Sequence, residues 1–299
     1  MLKPEGIIPA MITPFADDYS VNVAAVRSLV RRLLDAKPHG LFCLGSNGEF
    51  FSLTREEKIR LAEAVVDEVG GRVPVYFGSG CISTQETIEL IKEFERIGVA
   101  AVSVITPYFL KLTQQELADH YKRLADATSL PIVLYNIPTL TGNSLLPKTV
   151  AELSRIDNIV AIKDSSGSLD NILQYLEEAE PGFAVLAGTD SLILATLMAG
   201  GHGGIAATAN FMPHTVVAIY EKWKIGEIEE AQREQMKLKA LRGAFKLGTL
   251  PSVLKAALNL AGVPAGPARP PVGPLSPEAE QQLRQIVRSY INEGIVTEG

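Results

Sequence analysis

Residues 131–167, PIVLYNIPTLTGNSLLPKTVAELSRIDNIVAIKDSSG, hold two short apolar runs separated by a stretch of helical character. The runs begin at Ile132 and Ile159. They are rich in Val and Ile and continuous rather than alternating, which suits strands buried on both faces of a parallel sheet. Pro147 fits the first turn of the intervening helix, where its missing N–H costs nothing. The same unit recurs outward in both directions, with further runs beginning near Ile7, Gly40, Val73, Ala100, Ala184 and Gly204. Between them, Thr54-x-x-Glu57, Ser83-x-x-Glu86 and Thr113-x-x-Glu116 each predict a capping box. Ile88, Leu90, Ile91, Phe94 and Ile97 mark one face of the helix after Ser83. Eight β-then-α units over residues 1–225 predict an α/β chain folded as a (β/α)8 TIM barrel. Periodicity does not report closure, so an open doubly wound sheet is the alternative on pattern alone. From Glu227 onward the strands stop. Residues 227–246, 251–261 and 277–292 read as helices, with a Pro-rich linker over 263–277. Residues 226–299 are therefore expected to form a C-terminal three-helix extension packed on the barrel, since three helices make a meagre core of their own.

Composition bounds the function. The 299 residues are 46% hydrophobic and 21% charged, with 25 Gly and 18 Pro, which describes a folded chain with a large core. A net charge of −6, spread without a basic patch, argues against a nucleic-acid partner. The longest apolar stretch, Leu192 to Gly201, is about half of the ~18 residues that a membrane span needs. The start, MLKPEGIIPA, lacks the charged and apolar blocks of a signal peptide. Cys43 and Cys81 cannot make a disulfide framework, so free thiols in a soluble, cytoplasmic protein are expected. Neither a Gly-x4-Gly-Lys loop nor a Gly-x-Gly-x-x-Gly fingerprint after the first strand is present. His39, His120, His202 and His214 are scattered, without the paired spacing of a metal site.

Barrel enzymes carry their reacting groups at the C-terminal ends of the strands. Here those ends read Gly45-Ser46-Asn47-Gly48-Glu49, Thr106-Pro107-Tyr108-Phe109, Tyr135-Asn136-Ile137-Pro138, Lys163-Asp164-Ser165-Ser166-Gly167, Gly188-Thr189-Asp190 and Gly203-Gly204-Ile205-Ala206. Lys163 closes an apolar run, placing its amine at the inner rim of the barrel. Desolvation disfavours a charged amine, and a neutral one attacks a ketone to form a Schiff base. A lysine paired with a carboxylate at a strand end fits the position equally. Tyr135, one strand earlier at the same level, supplies the proton carrier that such chemistry needs, or is a core tyrosine with its hydroxyl at the rim. The turn at Ser46 and Asn47 can hold a carboxylate on its backbone N–H groups, though GSNG is also an ordinary turn. GGHGG at 200–204 lacks the nearby Lys or Arg that a phosphate cradle would use.

With these residues in hand, the chain resembles the dihydrodipicolinate synthase and N-acetylneuraminate lyase family of class I aldolases. The resemblance runs over nearly the whole length and rests most on GSNGE at 45–49, YNIPTLTG at 135–142 and IKDSSG at 162–167. It implies a barrel with three C-terminal helices, a homo-oligomer (tetramer or dimer), and no metal or organic cofactor. Carried over, Lys163 matches the lysine that forms the imine with pyruvate, and Tyr135 the tyrosine that transfers the proton. Ser46 and Asn47 match the pair beside the substrate carboxylate, and Ile205 the residue whose backbone borders pyruvate. Ser165, Gly188, Asp190 and Leu140 join them as candidate substrate contacts, with Ser46 counted among the catalytic group.

Departures from the family pattern refine the expectation. The synthase motif Tyr-Asn-x-Pro-x-Arg-Thr-Gly carries an arginine for the carboxylate of the aldehyde; this chain has Leu140 there, as sialic acid lyases do. The synthases' second tyrosine, which completes a proton relay across a subunit interface, is Phe109. Sialic acid lyases carry an acidic pair after strand seven and a serine after strand eight, whereas this chain has Asp190-Ser191 and Ala207. GSNGEF and GSGC-x-STQ at 78–85 look closer to 4-hydroxy-2-oxoglutarate aldolases. The Arg269-Pro270-Pro271 tail and the Gly188-Thr189-Asp190 turn resemble 2-keto-3-deoxygluconate aldolases. The expected activity is cleavage or formation of a hydroxylated 2-oxo acid from pyruvate and an aldehyde. Dihydrodipicolinate synthase itself is the runner-up, and a catalytically inactive binding barrel the alternative of another class.

Overall fold

The structure is a computed structural model that describes residues 2–297. Eight strands lie where the apolar runs predict them: β1 (Gly6–Pro9), β2 (Leu41–Cys43), β3 (Val75–Gly78), β4 (Ala101–Ile105), β5 (Ile132–Asn136), β6 (Ile159–Asp164), β7 (Ala184–Ala187) and β8 (Gly203–Ala206). Every pairing is parallel, and β1 pairs with β8. The remaining seam closes between β1 and β2. There the Met11 N–H donates to the Phe42 carbonyl at 2.8 Å and the His39 N–H to the Ile7 carbonyl at 2.9 Å. Both edges of the sheet therefore meet, and the open-sheet alternative is excluded.

Alternation along the strands divides the core in two. Ile8, Phe42, Val133, Ala161, Leu186 and Ile205 fill the barrel interior. Their neighbours Ile7, Val104, Leu134, Ile162 and Val185 face the surrounding helices. Because both faces are buried, the strands read as unbroken apolar runs. An irregularity between β5 and β6 decides what faces inward. Ile132 sits opposite Ile159, but Val133 sits opposite Ala161, so Val160 is an extra residue in β6. An unshifted register would place Tyr135 opposite Ile162, which faces out; the shift brings it opposite Lys163, with both side chains inward.

Helices follow the strands, the last of this series being Pro213–Lys224. Thr54 and Thr113 make full capping boxes. Ser83 makes half of one: it accepts from the Glu86 N–H, while the Thr87 hydroxyl donates to the Ser83 carbonyl and accepts from the Cys81 N–H. The C-terminal segment begins with a helix that is broken in two, Ile228–Lys237 and Lys239–Ala244. Tyr290 is the cause. Its hydroxyl donates to the Lys237 carbonyl at 2.6 Å and accepts from the Leu241 N–H at 3.0 Å, occupying the place of one ladder bond. Helices Ser252–Leu260 and Pro277–Asn292 complete the segment. Gln235 fastens it to the barrel, donating to the Asp190 carbonyl and accepting from the Leu194 N–H, both at 3.0 Å.

GGHGG is a packing motif. A Cβ at Gly203 would lie 2.0 Å from the Gly6 carbonyl oxygen, so only glycine lets β8 approach β1 so closely. His202 precedes β8, at the end of the barrel opposite Lys163, and its Nδ1 accepts from the Val185 N–H at 3.2 Å. Among the described residues, no helix is long and apolar enough to cross a membrane.

Candidate active site

A cavity of about 690 Å³ opens at the C-terminal ends of the strands. Ser46, Asn47, Tyr135, Leu140, Lys163, Ser165, Gly188, Asp190 and Ile205 all line it. Barrel closure thus gathers residues spread over 160 positions of chain into one place.

Lys163 is buried at the floor. Its Nζ lies 4.0 Å from the centre of the Tyr135 ring and 4.5 Å from that of Phe42. Among the described residues no carboxylate comes within ion-pair distance of it, which removes the reading of Lys163 as one half of a strand-end ion pair. The Tyr135 hydroxyl stands 3.5 Å from Ser46 Oγ, the outer limit of a hydrogen bond. The outward neighbours in the sequence hold these two residues still. Asn136 donates to Asp164 at 2.7 Å and accepts from the Leu145 N–H at 3.0 Å. Ser166 and Asn171 also bond Asp164. Burial raises the Asp164 carboxyl above its ordinary value, and these hydrogen bonds oppose the rise. Tyr-Asn and Lys-Asp are therefore working pairs: the first residue of each enters the cavity and the second ties its strand to the loop beyond.

The Ser46-Asn47 turn is held from outside the barrel. Glu49 sits in left-handed backbone (φ 54°) and is fully buried. Its carboxylate lies 2.6 Å from Lys255 Nζ and accepts from the Arg269 N–H at 2.8 Å. The Arg269 guanidinium in turn grips both oxygens of Glu57 at 2.8 Å and the Ser52 carbonyl at 2.7 Å. The Phe15 ring lies 4.0 Å from Lys255 Nζ and 4.4 Å from the Arg269 guanidinium carbon. Burial pushes the Lys255 ammonium down to about 8, with Glu49 acting against that fall. Lys255→Met strands the Glu49 carboxylate without its counter-ion, a loss of about 3–5 kcal/mol. Urea unfolding should show it, and adding Glu49→Gln should recover part; a single variant as stable as the parent would refute this role.

The other candidates differ in what they offer. Gly188 packs so tightly that a Cβ would lie 2.1 Å from Ser165 Oγ. Asp190 lines the cavity, but its carboxylate accepts from the Ala207 and Thr208 N–H groups at 3.2 and 2.7 Å and so shapes the loop after β8. Asn47 Oδ1 is buried and has no hydrogen-bond partner among the described residues. Leu140 is 63% exposed on the rim. Phe109 is 88% exposed in strained backbone (φ 83°), next to the exposed Leu110. Sequence reasoning missed Phe42 beneath Lys163 and the wall supplied by the C-terminal segment, where Arg242, Phe245, Thr249, Leu250 and Val272 reach the cavity. Among the described residues, no group of three His, Cys, Asp or Glu stands ready for a metal ion.

The comparisons with known proteins bear on this geometry directly. The model of the dihydrodipicolinate synthetase family matches residues 3–290. The chain belongs to that family. It is accordingly an enzyme of the class I aldolase and lyase type. A relative in Methanopyrus kandleri, 4-hydroxy-tetrahydrodipicolinate synthase, is 40% identical over 99% of this chain and 98% of its own. Among solved structures, the dihydrodipicolinate synthase of Thermotoga maritima superposes with a TM-score of 0.93 at 32% identity, covering 98% of this chain and 99% of its own. YagE, an E. coli K12 prophage protein of the same family solved in complex with pyruvate, gives 0.92 at 34% identity over 95% and 98%.

Proposed function

We propose that this family member condenses Lys163 with a 2-oxo acid and cleaves or forms a hydroxylated 2-oxo acid, with pyruvate as the common product or donor. The observation that carries the chemistry is a buried lysine amine that has no counter-ion among the described residues, lies over the ring of a tyrosine whose hydroxyl faces Ser46, and sits at the floor of a cavity. In cleavage, Lys163 Nζ adds to the C2 carbonyl carbon and water leaves, giving a protonated imine. Tyr135, facing Ser46, takes the proton from the C4 hydroxyl as the C3–C4 bond breaks. That electron pair passes into the imine, the aldehyde departs, and the resulting enamine is protonated at C3. Hydrolysis then frees pyruvate and Lys163. The imine is the electron sink, so this scheme calls for no metal or organic cofactor. In this reading Ser46 and Asn47, which line the cavity, receive the 2-oxo acid's carboxylate, and the Ile205 backbone borders it. The exposed Phe109-Leu110 pair supports self-association into a dimer or tetramer.

Leu140 and Phe109 carry the choice of substrate. No guanidinium stands at position 140 for the carboxylate of aspartate semialdehyde, and Phe109 has no hydroxyl to relay a proton. The names of the relatives favour the second reading, synthesis of 4-hydroxy-tetrahydrodipicolinate. A panel of kcat/KM values decides between them: 4-hydroxy-2-oxoglutarate or 2-keto-3-deoxygluconate should exceed aspartate semialdehyde with pyruvate. Leu140→Arg adds a charge-assisted pair of about 1.5–3 kcal/mol, so semialdehyde turnover should rise roughly ten- to hundredfold. A parent enzyme that prefers the semialdehyde would transfer the assignment to the synthase.

A further inference from the structure

Arg242 is the cation that the scheme above leaves unused. It comes from the helix Lys239–Ala244 of the C-terminal segment and lines the same cavity as Lys163. Among the described residues its guanidinium has no carboxylate within ion-pair distance and donates no hydrogen bond. Its Nε is wholly buried without an acceptor. An aromatic face lies beside it, the Phe245 ring centre being 5.3 Å from the guanidinium carbon. The cavity's own carboxylate, Asp190, is engaged with the Ala207 and Thr208 N–H groups. A guanidinium has five donors, and here Nε is sealed from water without an acceptor while the terminal nitrogens reach solvent, so one donor is left unmet in the empty protein at a free-energy cost. An acidic ligand would relieve that cost.

We propose that Arg242 receives a second acid group at the far end of the substrate, so that the preferred 2-oxo acid is a dicarboxylate held by the Ser46-Asn47 turn at one end and by Arg242 at the other. The inference rests on the Schiff-base reading of Lys163. It narrows that reading from hydroxylated 2-oxo acids in general to those of the 4-hydroxy-2-oxoglutarate type, away from sugar acids with a neutral polyol tail. Arg242 arrives from the segment outside the barrel, which makes that segment part of substrate selection.

Borohydride trapping tests this without knowledge of the physiological substrate. The probes are 2-oxoglutarate and 2-oxopentanoate, which share a chain length and differ in the terminal carboxylate. The concentration giving half-maximal trapping is measured for each, and their ratio within one protein cancels any general loss of folding or imine chemistry. The parent should favour 2-oxoglutarate by roughly ten- to hundredfold, the range of one charge-assisted pair. Arg242→Ala should bring the ratio close to one, and Arg242→Lys should leave it between. A parent ratio near one, or a preference that survives in Arg242→Ala, overturns the inference while the lysine chemistry stands. Failure to trap any acid, pyruvate included, overturns the Schiff-base reading and this inference together.

Discussion

Lys163→Ala is expected to lower turnover by roughly 10⁴-fold or more, because it removes the only covalent path in the scheme rather than one contribution among several. The fold should survive. Among the described residues Lys163 makes no ion pair that the change would break, and its loss empties space next to an existing cavity. Near-parent thermal unfolding together with lost turnover is the expected pair of results. Retained turnover in a folded variant would show that the amine is not the nucleophile.

Tyr135→Phe should separate proton transfer from imine formation. The substitution keeps the ring that lies 4.0 Å from Lys163 Nζ and deletes the hydroxyl that faces Ser46 at 3.5 Å. General acid–base help is worth roughly 10² to 10⁴ in rate. Turnover should therefore fall by about that factor, while pyruvate is still captured by borohydride. A variant that turns over at the parent rate would remove Tyr135 from the mechanism. One that also stops capturing pyruvate would place its hydroxyl in imine formation as well.

Much of this was legible in the sequence, and for physical reasons. Burial on both faces wrote the strands as apolar runs, and the rule that barrel sites gather at strand ends turned them into a list of residues. That list named every strand-end residue discussed here as catalytic. Four features were not legible. The extra residue Val160 reads as ordinary strand, although it sets Tyr135 opposite Lys163. The break at Leu238 comes from the Tyr290 hydroxyl, a contact across 49 and 53 residues that no local pattern announces. Arg242 sits on a helix outside the barrel, so a rule about strand ends could not find it. The buried Lys255–Glu49 pair is similar: Glu49 belongs to the GSNGE motif, but its partner lies in the C-terminal segment.

The central claim is that Lys163 is the Schiff-base lysine. Its most direct test is to reduce the unaltered protein with borohydride in the presence of pyruvate and map the modified peptide by mass spectrometry. The account predicts a single N-(1-carboxyethyl) adduct, the reduced imine, on the peptide containing Lys163. An adduct on Lys255 or any other lysine, or none at all, would contradict it.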